Sequence, residues 1–280
     1  MSLALLHYSP RPLKEGRSPL RRTILLLATM ALTLLVASGV ALAITKIGTN
    51  GPDTLRGTNG ADNLLGNGGN DILYALGGNN DNLVGGEGKD WVLGGNQRRA
   101  FGGDKNLVGG AGNDGGNGGV GSDTVLGGSG NDFVHGDNGS DRAVVGGEGK
   151  DIVDGGSGAD RMVGAAGGDI LIDNGFDEPF KDIVSGGGGD HIFLTDHVPA
   201  VRDIVSCGTG FDRVIADRKD AVADDCERVR LIHGNEAEAT KQENAFINSL
   251  PAAEREFWGT FFEWDAFFEE QLAPDPTAGG

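Results

Sequence analysis

Aromatic residues and positive charge are both scarce in this chain of 280 residues. Phe, Trp and Tyr make up 6% of it and apolar residues 38%, while 23 Lys and Arg stand against 41 Asp and Glu, for a formal net charge of −18. No segment beyond residue 22 is basic enough to predict nucleic-acid binding. The acidic balance instead favours cations as partners.

Soft metal ligands and phosphate-binding motifs are scarce as well. The chain has two Cys and five His, and none of the later histidines stands at paired zinc-binding spacing: His135, His191, His197 and His233. Residues 116–121 match Gly-x-Gly-x-x-Gly, but no strand–helix unit of a dinucleotide fold surrounds them. These observations argue against a zinc centre and against a nucleotide site.

Glycine is abundant, and it recurs in a nine-residue unit. Residues 85–93 read Gly-Gly-Glu-Gly-Lys-Asp-Trp-Val-Leu, of the form Gly-Gly-x-Gly-x-Asp-x-(aliphatic)-x, and residues 127–135, 146–154 and 155–163 are near copies. Repeated glycine supplies the positive φ and the close backbone approach that a sharp turn requires. The unit therefore predicts a turn, an aspartate and then a short strand.

The aspartates of the unit recur in steps of mostly nine and occasionally ten residues, apart from one gap after Asp90. They are Asp53, Asp62, Asp71, Asp81, Asp90, Asp114, Asp123, Asp132, Asp141, Asp151, Asp160 and Asp169, and the pattern resumes at Asp190. An apolar residue follows most of them two places later, so only the central three residues are predicted to be strand. Because so short a strand cannot bury a core alone, the units must stack into a solenoid.

The unit resembles the nonapeptide repeat of the RTX, or haemolysin-type, calcium-binding family. The resemblance implies an all-β, right-handed parallel β-roll in which two units make one turn and each calcium ion lies between turns on the same side. Alternate aspartates would then form pairs across the turns: Asp53–Asp71, Asp62–Asp81, Asp71–Asp90, Asp114–Asp132, Asp123–Asp141, Asp132–Asp151, Asp141–Asp160 and Asp151–Asp169.

The aspartates from Asp53 to Asp169, together with Asp190, are the predicted metal ligands. Carboxylates beside free turn carbonyls form a hard-oxygen environment, which suits Ca²⁺ with its roughly 6–8 oxygen ligands. Two carboxylates stacked about 4.8 Å apart repel by roughly 3.5 kcal/mol at an effective dielectric of 20, and a divalent cation reverses that sign. We therefore expect several calcium ions per chain and a largely disordered repeat region without them.

Three places depart from the repeat. Arg99 stands where an aspartate is expected, so its turn is predicted to lack calcium. Residues 115–116 are both Gly, which leaves no apolar residue after the preceding aspartate and predicts local loosening. Residues 173–179 read as an insertion that bulges from the roll, and beyond it Ile192 is the expected inward residue.

Residues 1–43 predict an export signal. A basic segment ends at residue 22, residues 23–43 carry no charge, and Ala41-Leu42-Ala43 has small residues at the spacing of a cleavage site. A membrane anchor is the alternative, since about 20 apolar residues can span a bilayer. Both interpretations place the repeats outside the cytoplasm, either secreted or associated with the cell surface.

The roll is assigned to residues 44–206, and a cap and a tail follow it. The cap, residues 207–232, holds Cys207 and Cys226, which fit one disulfide in an oxidising compartment, with two free buried thiols as the alternative. Residues 233–280 are acidic and favour helix, and residues 254–272 carry an apolar stripe that either covers the end of the roll or binds a protein partner. The stripe consists of Phe257, Phe261, Trp264, Phe268 and Leu272.

The repeats and the cap cover about residues 48–232, which leaves no segment for an enzyme core. We therefore expect a non-catalytic calcium-binding protein with a structural, adhesive or calcium-buffering role. The alternative is a toxin, protease or lipase of the wider RTX group, in which such repeats accompany a catalytic or pore-forming domain.

Overall fold

The computed structural model describes residues 42–78, 80–95, 105–173, 180–195, 200–232, 236–257 and 259. Within these ranges the chain forms twenty short strands followed by helix. The predicted export signal up to residue 41, and the apolar stripe beyond Phe257, lie outside the described residues. Among the helices of the described residues, none is long and apolar enough to cross a membrane.

The odd-numbered strands form the first sheet. They lie side by side in chain order, and every neighbouring pair is parallel. The strands are β1 (Thr45–Ile47), β3 (Asn63–Gly68), β5 (Asn82–Glu87), β7 (Asn106–Ala111), β9 (Thr124–Ser129), β11 (Ala143–Glu148), β13 (Arg161–Ala166), β15 (Ile183–Gly188), β17 (Ile204–Thr209) and β19 (Ala221–Val222).

The even-numbered strands form the second sheet, which is parallel in the same way. They are β2 (Thr54–Arg56), β4 (Ile72–Tyr74), β6 (Trp91–Leu93), β8 (Gly115–Val120), β10 (Phe133–Asn138), β12 (Ile152–Asp154), β14 (Ile170–Ile172), β16 (Ile192–Thr195), β18 (Arg213–Ala216) and β20 (Arg228–Leu231). The chain alternates between the sheets, so two units make one turn of a solenoid of about nine turns. The predicted parallel β-roll is confirmed.

The interior of the roll is a column of apolar side chains to which most repeats contribute one. Leu64 pairs in register with Leu83 in the first sheet, and Val134 with Val153 in the second. The column contains ten of the side chains for which the repeat predicts an inward position, Ile192 being the exception: Leu55, Leu64, Leu73, Leu83, Val92, Val125, Val134, Val153, Met162 and Leu171. The period of the sequence thus identifies the core of the roll correctly.

Most strands of the first sheet are longer than the predicted three residues. β5 continues past its apolar residue into the glycines, and Gly86 pairs with Asn67 on one side and with Gly110 on the other. The glycine turns of successive repeats therefore continue the sheet register instead of ending it. In the second sheet, β4 and β6 keep the expected length of three residues.

The loosening expected at residues 115–116 does not occur. β8 is a regular strand in which Gly116 pairs with Val92 and with Val134. A Cβ at Gly116 would lie 2.8 Å from Cγ1 of Val125. Because Val125 belongs to the facing sheet, its side chain fills the space that the missing side chain would otherwise leave.

The helical tail begins on the outer face of the second sheet. Helix α1 spans Glu236–Ile247, and residues 252–257 are helical as well. One buried cluster combines tail residues with second-sheet side chains that flank the inward residues. The tail contributes Ala239, Phe246 and Leu250, and Phe257 packs against this cluster. Those sheet residues include Phe133, Ile152, Ile170, Ile172, Ile192, Leu194 and Ile215. This part of the tail covers a face of the roll, whereas the stripe was expected at its end.

The residues assigned to the cap continue the roll. The predicted boundary after residue 206 falls inside β17, and β18, β19 and β20 extend both sheets. Cys207 and Cys226 are joined by a disulfide with an S–S distance of 2.00 Å and a Cα–Cα distance of 5.2 Å. Cys207 belongs to the interior column, so the disulfide connects the core of the roll to the segment that leads into β20.

Candidate metal centre

Two ladders of side chains run along the roll, one beside each sheet. Each ladder position, here called a rung, lies one or two residues before a strand, where the glycine turn ends. The first ladder, beside the first sheet, is Asp62, Asp81, Lys105, Asp123, Asp141, Asp160, Asp182, Asp203 and Asp220. The second ladder, beside the second sheet, is Asp53, Asp71, Asp90, Asp114, Asp132, Asp151, Asp169, His191 and Asp212.

One hydrogen bond repeats along both ladders: the backbone N–H of a rung donates to Oδ1 of the aspartate one turn further on. The donor–acceptor distance is 2.8 Å from Asp114 to Asp132 and 2.9 Å from Asp132 to Asp151. All eight aspartate pairs predicted from the sequence are joined in this way. The structure also adds a ninth pair, from Asp90 to Asp114, which spans the gap in the repeat.

The second carboxylate oxygen of many rungs lacks a hydrogen bond. The Oδ2 atoms concerned are buried within the described part of the roll and accept none from the protein: those of Asp71, Asp81, Asp90, Asp114, Asp132, Asp141, Asp151 and Asp212. A buried carboxylate oxygen without a partner is costly. The ladders therefore present a row of oxygens that a cation would stabilise.

The glycine that opens each turn brings a carbonyl oxygen close to such a carboxylate. A Cβ built at Gly127 would lie 2.5 Å from Oδ2 of Asp132 in its own turn and 2.5 Å from the carbonyl oxygen of Gly146 in the next turn. A Cβ at Gly109 would meet Oδ2 of Asp114 and the carbonyl of Gly127 at 2.7 and 2.6 Å. Glycine is required at these places because two oxygens from successive turns converge where a side chain would start.

Several ladder carboxyl groups have pKa values above that of an ordinary aspartate. Burial, opposed by the backbone hydrogen bond and reinforced by the neighbouring rungs, raises the pKa of Asp114 to about 7 and those of Asp141 and Asp151 to about 8. Burial likewise raises the pKa values of Asp81 and Asp90 to about 6. Without a cation, burial in the folded roll thus makes these carboxyl groups harder to ionise.

Calcium fits this set of atoms. The oxygens that converge are carboxylate and carbonyl oxygens, which are the hard ligands that Ca²⁺ prefers. Paired rungs in successive turns, such as Asp114 with Asp132, and the turn carbonyls beside them are the groups that would hold the ion. The ion would supply the positive charge that lets adjacent buried carboxylates ionise together.

Twelve of the thirteen predicted ligands are ladder rungs, and Asp190 is the one that is not. Its side chain is exposed, and its Oδ1 accepts a hydrogen bond from the N–H of Phe211. The rung is His191, because Phe193, which pairs with Leu171, is the inward residue, whereas Ile192 was expected there. The four glycines before Asp190 are compatible with a rung at Asp190 or at His191. The structure adopts the second arrangement because the larger side chain, Phe193, then packs inward.

His191 makes its rung chemically different from the others. Its imidazole is fully buried, and its Nδ1 accepts a hydrogen bond from the backbone N–H of Asp169 at 3.2 Å. The same nitrogen lies 3.3 Å from Oδ2 of Asp169. This rung therefore offers nitrogen where its neighbours offer carboxylate oxygen.

Four rungs near the end of the roll were not among the predicted ligands: Asp182, Asp203, Asp212 and Asp220. Carboxylate oxygens of Asp182, Asp203 and nearby Asp173 lie within 4.8 Å of one another, and all three residues are buried. The available signal was the aspartate followed two places later by an aliphatic residue, as in Asp182-Ile183-Val184. It was hidden because the glycines that mark the earlier turns are replaced here.

The disulfide prediction agrees with the observed geometry. For the turn after Asp90, the described residues show a rung at another position than the one counted from the sequence. Arg99 lies outside the described residues, and the rung of that turn is Lys105, which directly precedes β7. Counting nine residues from Asp90 leads to Arg99. The step between successive rungs is longer there, since 24 residues separate Asp81 from Lys105 and Asp90 from Asp114.

The family model for the RTX calcium-binding nonapeptide repeat matches this chain in four copies, over residues 47–81, 77–98, 108–143 and 144–171. No curated protein and no solved structure shows a significant match to the chain. In the structure the roll continues past residue 171 through β15 to β20, with rungs in the same positions. The repeats bind Ca²⁺, and the buried aspartates of the stacked turns fit several ions. The matched repeats, the parallel roll and the two ladders together show that residues 47–171 consist of RTX calcium-binding nonapeptide repeats.

Proposed function

We propose that the chain is a non-catalytic protein that acts outside the cytoplasm, and that its roll folds when calcium fills the ladders. The observation that carries this proposal is the row of buried Oδ2 atoms without hydrogen bonds. A folded roll in which these groups are charged and uncompensated is unstable, so binding and folding become one reaction. The low apolar content and the 51 glycines leave little other driving force.

An extracellular location is supported by two features. The disulfide between Cys207 and Cys226 suits an oxidising compartment, and modest calcium sites fill where calcium is near millimolar, for which affinities of about 10⁻⁴–10⁻³ M suffice. The chain would then remain unfolded in calcium-poor cytoplasm and fold after export. Fractionation of a producing culture tests this, since retention of all the protein in the cytoplasm would contradict it.

A structural or adhesive role suits the geometry better than simple buffering. Ten strands stacked at spacings of about 4.8 Å extend over roughly 43 Å, and every turn contacts its neighbours in a stiff parallel array. Calcium would thus convert a flexible acidic segment into a rigid element. A hydrolase assay on the purified protein tests the non-catalytic part of the proposal, and calcium-dependent hydrolysis would favour an enzyme of the wider RTX group.

Circular dichroism of the purified chain tests the central claim. We expect little β structure in chelator and a large gain when Ca²⁺ is raised to millimolar concentration, with Mg²⁺ at the same concentration as control. Magnesium demands near-octahedral geometry and retains its water, so it should restore much less structure. Identical spectra in chelator and in Ca²⁺ would contradict calcium-coupled folding.

A further inference from the structure

Lys105 occupies a rung of the first ladder, between Asp81 and Asp123. Its backbone N–H donates to Oδ1 of Asp123 at 2.8 Å, as an aspartate rung does. The main-chain bonds around it are regular too: the N–H of Asn106 donates to Asp81 O, and that of Thr124 to Lys105 O, both at 2.9 Å. The backbone of Lys105 is therefore in the rung conformation, and only its side chain differs.

The side chain of Lys105 is buried, with a relative exposure of 3%. Its Nζ lies 3.3 Å from the carbonyl oxygen of Val120, in the turn that leads to Asp123. Its aliphatic part packs at Gly94, where an added Cβ would lie 3.0 Å from Cδ of Lys105. Lysine is rarely buried without a partner, and Lys150, which occupies a turn beside another rung, is exposed.

The surroundings of this ammonium are those expected of a cation site. The carbonyl of Val120 is a turn carbonyl of the next turn, and Asp81 is the carboxylate of the previous rung. The positive charge of Lys105 lowers the pKa of Asp81, against the larger effect of burial, which raises it to about 6. Exchanging a carboxylate for an ammonium changes the charge of the rung from −1 to +1, so a divalent ion placed beside it would be repelled.

We propose that the Lys105 ammonium takes the place of a calcium ion between Asp81 and Asp123, so that this rung forms without metal while neighbouring rungs require it. The inference rests on the proposed function, since it assumes that calcium fills the other rungs. Its consequence is that the repeats on either side of Lys105 are joined by a calcium-independent turn. This turn can hold them in register while the ions bind.

Calcium counting on the full chain tests the proposal. Wild type, Lys105→Asp and the control Lys150→Asp are dialysed against saturating Ca²⁺, and bound calcium per chain is measured by elemental analysis. We expect Lys105→Asp to bind about one more ion than wild type, because the variant restores the carboxylate that the other rungs have. Lys150→Asp makes the same exchange of a positive for a negative charge at an exposed position. It should leave the number of bound calcium ions unchanged.

A second variant keeps the proposal testable if Lys105→Asp fails to fold. Lys105→Met preserves side-chain length and removes only the charge, so we expect a lower thermal midpoint in saturating Ca²⁺ without an additional ion. The proposal would be overturned if folded Lys105→Asp bound the same number of ions as wild type. It would also be overturned if Lys105→Met had the same thermal midpoint as wild type. Absence of calcium from wild type itself would instead refute the proposed function.

Discussion

At a typical aspartate rung the side chain performs two separate tasks. Its Oδ1 accepts the backbone N–H of the previous turn, as in the 2.8 Å bond from Asp114 to Asp132. Its Oδ2 points to the turn glycine, beside a carbonyl from the following turn. Asparagine could replace the first oxygen but would remove the negative charge from the second. The recurrence of aspartate thus reflects both a structural bond and a cation.

Asp132→Asn tests the second task. The amide oxygen can still accept the N–H of Asp114, so the fold in saturating Ca²⁺ should survive, while the rungs shared with Asp114 and Asp151 lose charge. We expect the variant to bind one to two fewer ions. In a calcium titration followed by circular dichroism, its midpoint should lie at a higher calcium concentration than that of wild type. Asp190→Asn is the matched control, since Asp190 is exposed and outside the ladders, and an equal loss in both variants would contradict the ladder assignment.

The metal-free protein should be more stable at pH 5 than at pH 8. Burial raises the pKa values in the folded state from 3.8 to about 6 for Asp90, 7 for Asp114 and 8 for Asp151. Between about pH 4 and pH 8 the folded chain therefore binds more protons than the unfolded chain, so the free energy of unfolding falls as pH rises. Circular dichroism in chelator at the two pH values checks this, because the small folded population should be larger at pH 5. A β content that rises with pH would contradict it.

Calcium reverses that dependence because protons and metal compete for the same carboxylates. The calcium affinity of the folded roll should rise with pH over the same interval of about 4 to 8, and binding to the folded roll should release protons most strongly near the middle of that interval. Titration calorimetry in buffers of different ionisation enthalpy measures the released protons. A proton release that is zero throughout would show that the buried rungs are already ionised.

At the scale of elements, the two sheets have different outer faces. The first sheet shows asparagines in register, with Asn82 Nδ2 donating to Asn63 Oδ1 at 2.8 Å, among partly exposed aliphatic residues such as Val84 and Ile183. The second sheet shows Ile and Leu, which the tail partly covers. An apolar sheet face in water favours association with other chains. Helix α1 and the residues that directly follow it remove part of that face from water through Phe246 and Leu250. The Arg213 guanidinium donates a hydrogen bond to Glu254 at 3.1 Å beside them.

Phe246→Ala measures how much this cover contributes. Phe246 is 5% exposed within the cluster, so truncation should lower the free energy of unfolding by about 3 kcal/mol. Phe180→Ala, at a residue that is 47% exposed, is the matched control and should cost much less. Thermal melts in saturating Ca²⁺ compare them, and equal midpoints for the two variants would show that the helix adds no stability.

The disulfide acts on the last turns of the roll. It joins residues 19 apart, and closing a loop of that size contributes roughly 3 kcal/mol in the chain-entropy model. Cys226→Ser should therefore lower the melting temperature in saturating Ca²⁺. Mass spectrometry of the exported protein without reductant should show a deficit of two hydrogens, and two alkylatable thiols would contradict both the bond and the oxidising location.

At the scale of the whole molecule, stability is a property of the array. Each turn contacts only the turns before and after it, so its energy depends on whether those neighbours are folded. The aspartate rungs share oxygens in series, which couples binding at one rung to binding at the next. Lys105 and His191 interrupt this series once in each ladder. The roll is thus divided into segments of calcium-dependent turns separated by rungs of different chemistry.

The sequence alone determined the roll, its core and most of its ladders. A nine-residue period with one apolar residue per unit leaves only stacking as a way to bury that residue, and alternate aspartates then align without further information. Twelve predicted ligands are rungs for this reason. The family match in four copies follows from the same regularity.

Only the tertiary structure decided where the period fails. His191 replaced Asp190 as a rung because the size of Phe193 favoured the interior, and Lys105 took the place assigned to Arg99 because the intervening segment is longer than one unit. Val125 filled the gap at Gly116 from the facing sheet, and the start of the tail packed on the outer face of the second sheet. Each outcome depends on the packing of residues from different turns. Counting residues along the sequence does not reveal such contacts.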